Sequence, residues 1–252
     1  MLAFSSVFAL PFFGLALMPN WLRRLPRSGS WLNSVKVVMG LLEIAAAMKF
    51  ISNVDLVWHW GIFTREVVLA SWIALGVMIA AYLLRTGPGL ARGFSLASVA
   101  LSLYLCAGLF GRRLGELESF LPPALTTSAS HELSWVVNDY EGALARARQE
   151  RKLVFIDFTG YTCTNCRWME ANMFPRPEVK DRLQRYVRVR LFTDGEGPVY
   201  QKQQELEKTQ FKTVALPLYA IVDGQGTARA TFPGLTRNSQ EFVAFLDAHA
   251  AY

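Results

Sequence analysis

Leu153-Val-Phe-Ile-Asp157-Phe-Thr-Gly-Tyr-Thr-Cys163-Thr-Asn-Cys166-Arg-Trp-Met-Glu170 sets the reading of the whole chain. Its first part is an apolar run of strand length; its second opens a helix that reaches toward Phe174. A Cys-X-X-Cys pair where a strand hands over to a helix is the spacing of a redox-active dithiol. The helix start brings unpaired backbone N–H groups and the positive dipole end close to Cys163, which favours its thiolate. Cys166 lies one turn further in, near enough to close a disulfide and too sheltered to attack first. The expected roles are Cys163 as nucleophile and Cys166 as resolving thiol.

Two carboxyls extend the site. Asp157 sits in a run too apolar for a solvated strand, so it is expected to be buried or partnered, and a buried carboxyl holds its proton more readily. Glu170 follows Cys166 by four residues and Cys163 by seven, which puts all three on one helix face. Asp157 and Glu170 are expected to handle the proton of Cys166. A turn cap for Asp157 and a solvated position for Glu170 are the plainer alternatives.

Composition splits the 252 residues in two. The hydrophobic share is 52% and the net charge +6. Residues 1–128 hold 10 Lys+Arg against 5 Asp+Glu, and residues 129–252 hold 16 against 15, so almost all of the charge lies in the first half. A basic, apolar, charge-poor half points to membrane loops rather than a nucleic-acid face. Three cysteines with one close pair exclude a disulfide-stapled scaffold.

Four apolar segments follow one another: Leu2–Met18, Val35–Ile51, Val67–Leu84 and Phe94–Phe110. Each is near the lower length limit for crossing a bilayer, and four in succession argue for membrane helices rather than buried soluble ones. Pro11 is expected to kink the first, and no basic stretch precedes it as in a cleaved signal. Glu43 and Lys49 fall within the second segment. Lys49 is close enough to the end to snorkel, while Glu43 has a role in packing or a proton path. Cys106 reads as a small apolar thiol between helices.

Arg23, Arg24, Arg27 and Lys36 flank the first loop, and Arg85 and Arg92 the third. The second loop, Ser52–Glu66, is charge-poor and carries Trp58 and Trp60 as interfacial anchors. Loops one and three are thus cytoplasmic, and the C-terminal half lies outside. Arg112 and Arg113 pull the other way. Residues 113–131, with Pro122-Pro123 and Thr126-Thr-Ser-Ala-Ser130, read as a linker that lets the second domain move. The boundaries are therefore 1–112, 113–131 and 132–252.

From Glu132 strands and helices alternate: a strand at Trp135–Val137, a helix at Tyr140–Glu150, the strand Leu153–Phe158 and the Cys helix, ended by Pro175 and Pro177. A short helix Pro177–Tyr186, a strand Val187–Phe192 and a charged helix Val199–Phe211 follow. Leu218–Val222 is a strand closed by Asp223-Gly-Gln-Gly226, a hairpin turn into Thr227–Phe232. Asn238–His249 is the last helix. The fold class expected is a multi-helix transmembrane segment of about four helices, then an α/β domain with one sheet covered on both faces.

With these residues placed, the chain resembles the DsbD family of thiol:disulfide interchange proteins. The Cys-X-X-Cys with Glu four residues on, and the Leu216-Pro217 strand ending in Asp-Gly-Gln-Gly226, match its C-terminal thioredoxin-like domain. Leu25-Pro-Arg-Ser-Gly-Ser-Trp31, Val35-Lys-Val-Val and Gly40-Leu-Leu-Glu look like that family's later membrane helices. The resemblance implies a bacterial inner-membrane protein whose thioredoxin-like domain faces the periplasm. It implies an electron path from cytoplasmic thioredoxin, through an intramembrane dithiol, to Cys163–Cys166 and then to oxidised periplasmic proteins or apocytochrome c. It also implies a cis Pro217 lining the substrate groove, with Leu216, Tyr161 and Thr162 at its rim. The family's intramembrane cysteine pair and N-terminal periplasmic domain have no counterpart here. The chain is therefore expected to be a piece of a longer protein or to take electrons from another polypeptide, and not to carry them across the membrane by itself.

Other readings are weighed beside a reductase. An oxidant or isomerase is disfavoured because Thr164-Asn165 lacks the His that stabilises a thiolate. A metal-handling or cytochrome-maturation factor is disfavoured because two Cys make an incomplete zinc site, and His59, His131 and His249 are not at ligand spacing. A purely structural membrane subunit is disfavoured by the intact pair. The expected cofactor is none beyond the disulfide, with no metal.

Overall fold

The computed structural model describes residues 30–86, 89–123 and 133–248, together with Phe13. The first apolar segment apart from Phe13, the basic residues Arg23, Arg24 and Arg27, the stretch 126–131 and His249 lie outside the described residues.

Three helices among the described residues are long and apolar enough to cross a membrane: α1 (Ser30–Trp58), α2 (Arg65–Thr86) and α3 (Leu90–Leu109). Each exceeds the apolar segment that signals it, because helix continues into the polar flanks. At 29 residues, α1 runs about 43 Å against a hydrocarbon core of about 30 Å. The spare length carries Trp58 out to the α/β domain, where its Nε1 donates to Glu196 Oε1 at 3.3 Å.

Packing within the hairpin follows membrane logic, with small residues and side-chain hydroxyls at the contacts. A Cβ on Gly76 would stand 2.3 Å from Ser102 Oγ, so a larger residue here would push the Ser102 hydroxyl aside. Ser98 donates to Gly76 O (2.8 Å), Ser95 to Ala80 O (3.0 Å), and Trp72 Nε1 to Ala45 O on α1 (2.9 Å). Glu43 is exposed on α1 rather than turned into the described bundle. Lys49 reaches Asn53 Oδ1, one turn nearer the helix end.

Residues 113–123, expected as the first part of a linker, are folded. A 3-10 turn at Gly115–Phe120 forms a collar over the helix ends. Leu114 and Leu121 are buried against Val68, Leu69 and Leu105. Arg65 donates to both oxygens of Glu118, at 2.7 and 3.2 Å. Pro122-Pro123 suggested a loop, but leucines at the collar's two ends gave this stretch apolar surface to bury.

The C-terminal half is a five-stranded sheet. Its elements are β1 (Val136–Val137), α4 (Tyr140–Glu150), β2 (Val154–Thr159), α5 (Thr164–Trp168) continued by a π turn at Met169–Met173, α6 (Pro177–Leu183), β3 (Val187–Phe192), α7 (Pro198–Phe211), β4 (Leu218–Val222), β5 (Ala228–Pro233) and α8 (Ser239–Ala248). The strand order is β1-β3-β2-β4-β5, with β1, β3 and β2 parallel and β4 and β5 antiparallel. β2 sits at the centre with every residue buried. Because side chains alternate along it, Phe155 joins an aromatic layer with Phe174, Tyr219 and Phe242 on one face. Val154, Ile156 and Phe158 join an aliphatic layer with Val189 and Leu191 on the other.

Candidate active site

Cys163 and Cys166 form a disulfide, with Cα atoms 5.3 Å apart. Cys163 caps the helix: its Sγ accepts from Cys166 N at 3.2 Å, and its extended backbone ends the loop that leaves β2. Cys163 is partly exposed, whereas Cys166 is fully buried. Cys163 is thus the more accessible residue of the pair.

The loop before Cys163 is held by Asp194 at the end of β3. Its Oδ1 accepts from Tyr161 N (2.7 Å), and its Oδ2 from Thr162 N and Thr162 Oγ1 (both 3.0 Å). Gly160 makes room for this carboxylate, since a Cβ there would lie 2.7 Å from Oδ2. The Tyr161 ring stacks on Phe192, with centroids 4.0 Å apart, and its hydroxyl meets that of Tyr200. On its outer side His59, from the loop between α1 and α2, packs edge-on against it. Thr162 is exposed, Leu216 half-buried and Pro217 buried, and the Leu216–Pro217 peptide is cis.

Asp157 is fully buried on the aromatic face of β2, in mid-strand rather than at a turn. Its register partners are Arg190 on β3 and Tyr219 on β4, so the three side chains form a row across the sheet. Arg190 Nε donates to Asp157 Oδ2 at 3.1 Å, and its guanidinium lies over the Trp135 ring. Burial pushes the Asp157 carboxyl up to about 7; Arg190 opposes the rise and the Glu170 charge adds to it.

Glu170 lies in the π turn, so the uninterrupted α-helical face expected for Cys163, Cys166 and Glu170 is broken after Trp168. It is not a solvated residue: its side chain is 12% exposed. Oε1 accepts from Arg167 Nη2 at 2.6 Å and from Thr159 Oγ1 at 3.1 Å, and lies 3.7 Å from Arg190 Nε. Arg190 therefore joins the two carboxyls that the sequence singled out.

Arg167, Arg190, Asp194 and Thr159 were not singled out by sequence. Arg188 and Arg190 alternate with Val and Leu in β3, a pattern that reads as a solvated edge. The available signal was indirect: a lone Asp in a buried strand requires a cation at its register on a neighbouring strand.

The collar closes one side of this network. Arg113 Nη1 donates to Ala171 O in the π turn at 2.8 Å, and Arg237 pairs with Glu116 at 2.9 Å. Between collar and active-site helix lies a cavity of about 830 Å³ whose lining includes Arg167, Glu170, Arg190, Arg112 and Trp135. No group of three or more His, Cys, Asp or Glu side chains able to hold a metal occurs among the described residues.

Comparison with known proteins gives relatives for the part of the chain that carries this site. A family model described as thioredoxin-like matches residues 135–224. The thiol:disulfide interchange protein DsbD 2 of Pseudomonas aeruginosa is 30% identical over 181 residues, covering 64% of this chain and 29% of that protein. DsbD of Pseudoalteromonas atlantica is 26% identical over 238 residues, 90% of this chain and 38% of that protein. DsbD of Vibrio vulnificus is 26% identical over 230 residues, 89% and 36% respectively. The chain thus spans between 29% and 38% of the length of these curated relatives. Among solved structures, a DsbH oxidoreductase is 24% identical with a TM-score of 0.39, covering 50% of this chain and 94% of that one. The oxidised DsbD c-terminal domain of Neisseria meningitidis is 21% identical with a TM-score of 0.35, covering 43% and 90%.

Proposed function

We infer that this chain, a relative of the DsbD thiol:disulfide interchange proteins, is a membrane-anchored protein-disulfide reductase working through Cys163 and Cys166. The observation that carries the reading is the disulfide at the head of α5, with Cys163 partly exposed and Cys166 buried.

The exchange runs in two displacements. A donor thiolate attacks Cys163 Sγ; a donor–Cys163 bond forms, the Cys163–Cys166 bond breaks, and Cys166 leaves as a thiolate that takes one proton. The donor's second thiolate then attacks its own partner sulfur and expels Cys163 as a thiolate, so two electrons have passed to the pair. Toward an oxidised acceptor the same steps run outward: Cys163 attacks the acceptor disulfide and Cys166, giving up its proton, closes the ring again. Asp157, whose carboxyl is pushed up to about 7 and so exists in both forms near neutral pH, serves as source and sink of that proton, with Glu170 beside it on Arg190. The chain holds no second cysteine pair, so the donor dithiol comes from outside these 252 residues.

The thioredoxin-like domain lies on the periplasmic side of the inner membrane. Lys36, Arg85 and Arg92 cluster at the end of the helical hairpin away from it, which supports that orientation. Arg112 and Arg113, which argue the other way by charge, lie at the domain end, where Arg113 donates to Ala171 O. Acceptors are oxidised periplasmic proteins or apocytochrome c, reached across Leu216, Pro217, Tyr161 and Thr162.

The test is the reduction potential of the full chain against a thiol buffer. A value near or below about −220 mV marks an electron donor, while one near about −120 mV marks an oxidant and reverses the flow. Cys166→Ser should trap the acceptor as a mixed disulfide on Cys163.

A further inference from the structure

Asp157 offers Arg190 only one oxygen. Oδ1 has no hydrogen-bond partner within the protein, and neither has the hydroxyl of Tyr219, its register partner on β4. Both side chains are 0% exposed. Buried phenols and carboxyls normally find partners, and two orphans side by side in one cross-strand pair call for a common explanation.

The Tyr219 ring is fixed: it stacks on Phe155 at 5.9 Å and meets Phe242 and Phe174 edge-on at 5.3 and 5.7 Å. Its hydroxyl lies in the field of Asp157, Glu170, Arg190 and Arg167, the charged groups that face Asp157 from the π turn, β3 and α5. Arg167 adds a third unpartnered buried atom, its Nε. The network is polar, and Glu170, Arg167 and Arg190 line the cavity beneath the collar, whereas Asp157 and Tyr219 do not reach it themselves.

We propose that Tyr219 is a positioning residue for Asp157: through a water drawn from that cavity, its hydroxyl serves the carboxyl oxygen that Arg190 leaves free. The chemistry suits a group that must pass between two protonation states. Arg190 donates to Oδ2 and so keeps the proton off that oxygen, leaving Oδ1 to carry it. A hydroxyl accepts as well as donates, so through one water it serves Oδ1 in either state, which an ammonium or a guanidinium would not. A hydrogen bond to the charged form is the stronger, so loss of the hydroxyl shifts Asp157 toward its neutral form. The proposal rests on the reading of Asp157 as the group that serves Cys166.

The experiment is an infrared pH titration of the full chain in detergent, following the protonated carboxyl band that Asp157→Asn removes. In Tyr219→Phe the midpoint is expected to rise by about half to one pH unit, and the pH profile of dithiol exchange to move with it. Tyr186→Phe is the control: that buried phenol donates to Leu246 O in the same aromatic layer, and its loss should lower stability without moving the midpoint. An unmoved midpoint in Tyr219→Phe, or an equal shift in Tyr186→Phe, overturns the proposal. Should the wild-type chain exchange no disulfide while the midpoint still shifts, the reductase reading falls and the positioning role stands.

Discussion

Asp157 and Glu170 meet on Arg190, whose Nε lies 3.1 Å from Asp157 Oδ2 and 3.7 Å from Glu170 Oε1. The two acids that a redox helix and its preceding strand present are thus one electrostatic unit, and the cation between them is the part a substitution can remove.

Arg190→Leu should cost about 3–5 kcal/mol at pH 8, where it leaves a buried carboxylate without its cation. At pH 5 Asp157 is neutral in the folded protein, and the cost should fall by about 1.4 kcal/mol, the ionisation that Arg190 supports one pH unit above the folded value. Denaturant unfolding of the two proteins at both pH values measures it; an equal loss at each would show that Arg190 acts through Glu170 or Trp135 and not through Asp157.

Asp157 also sets a pH slope. Its folded-state value of about 7 lies above the ordinary 3.8, so the folded protein binds the extra proton between those limits. Stability is therefore greatest below pH 4 as far as this group is concerned, and is lost as pH rises toward 7. Asp157→Asn should flatten the slope and leave the domain more stable at pH 8, by up to about 4 kcal/mol. A variant whose stability keeps the wild-type pH dependence would exclude Asp157 as its source.

The strand and helix order was legible because β2, β3 and β4 are apolar runs and Asp223-Gly-Gln-Gly226 is turn chemistry. Cys163 and Cys166 stood out by their spacing, Glu170 by its distance from them, and Asp157 as a lone acid in an apolar run. Arg190 was not, since its alternation with Val189 and Leu191 looks the same whether the Arg side faces water or a buried acid. The collar was not either: Pro122-Pro123 outweighs two leucines by eye, and only the ends of α2 and α3 show what those leucines bury. The π turn is a hydrogen-bond rearrangement without a composition of its own.

Gly160→Ala tests the loop that presents Cys163. The new methyl would press on Asp194, which holds Tyr161 N and Thr162 N. Moving that carboxylate shifts the approach to Cys163, and the rate of disulfide exchange should fall about tenfold or more. Reduction of insulin by the reduced chain reports the rate. An unchanged rate would mean that the loop tolerates displacement of Asp194.

Glu207 on α7 offers a second pH slope on the other side of the sheet. It is 0% exposed, both its oxygens lack partners, and burial pushes it up to about 7 from 4.5. Its neighbours Leu206 and Phe211 pack on the aliphatic layer, whereas Asp157 faces the aromatic one. As with Asp157, the folded value is raised, so stability is lost as pH rises from about 4.5 toward 7. Glu207→Gln should gain about 1–3 kcal/mol at pH 8 and nothing at pH 4. Separated by the sheet, the two sites share no partner, so in the double variant with Asp157→Asn the gains should add to within about 0.5 kcal/mol. Thermal or denaturant unfolding of the single and double variants decides this, and a larger shortfall would mean that the two buried acids are coupled through the central strands.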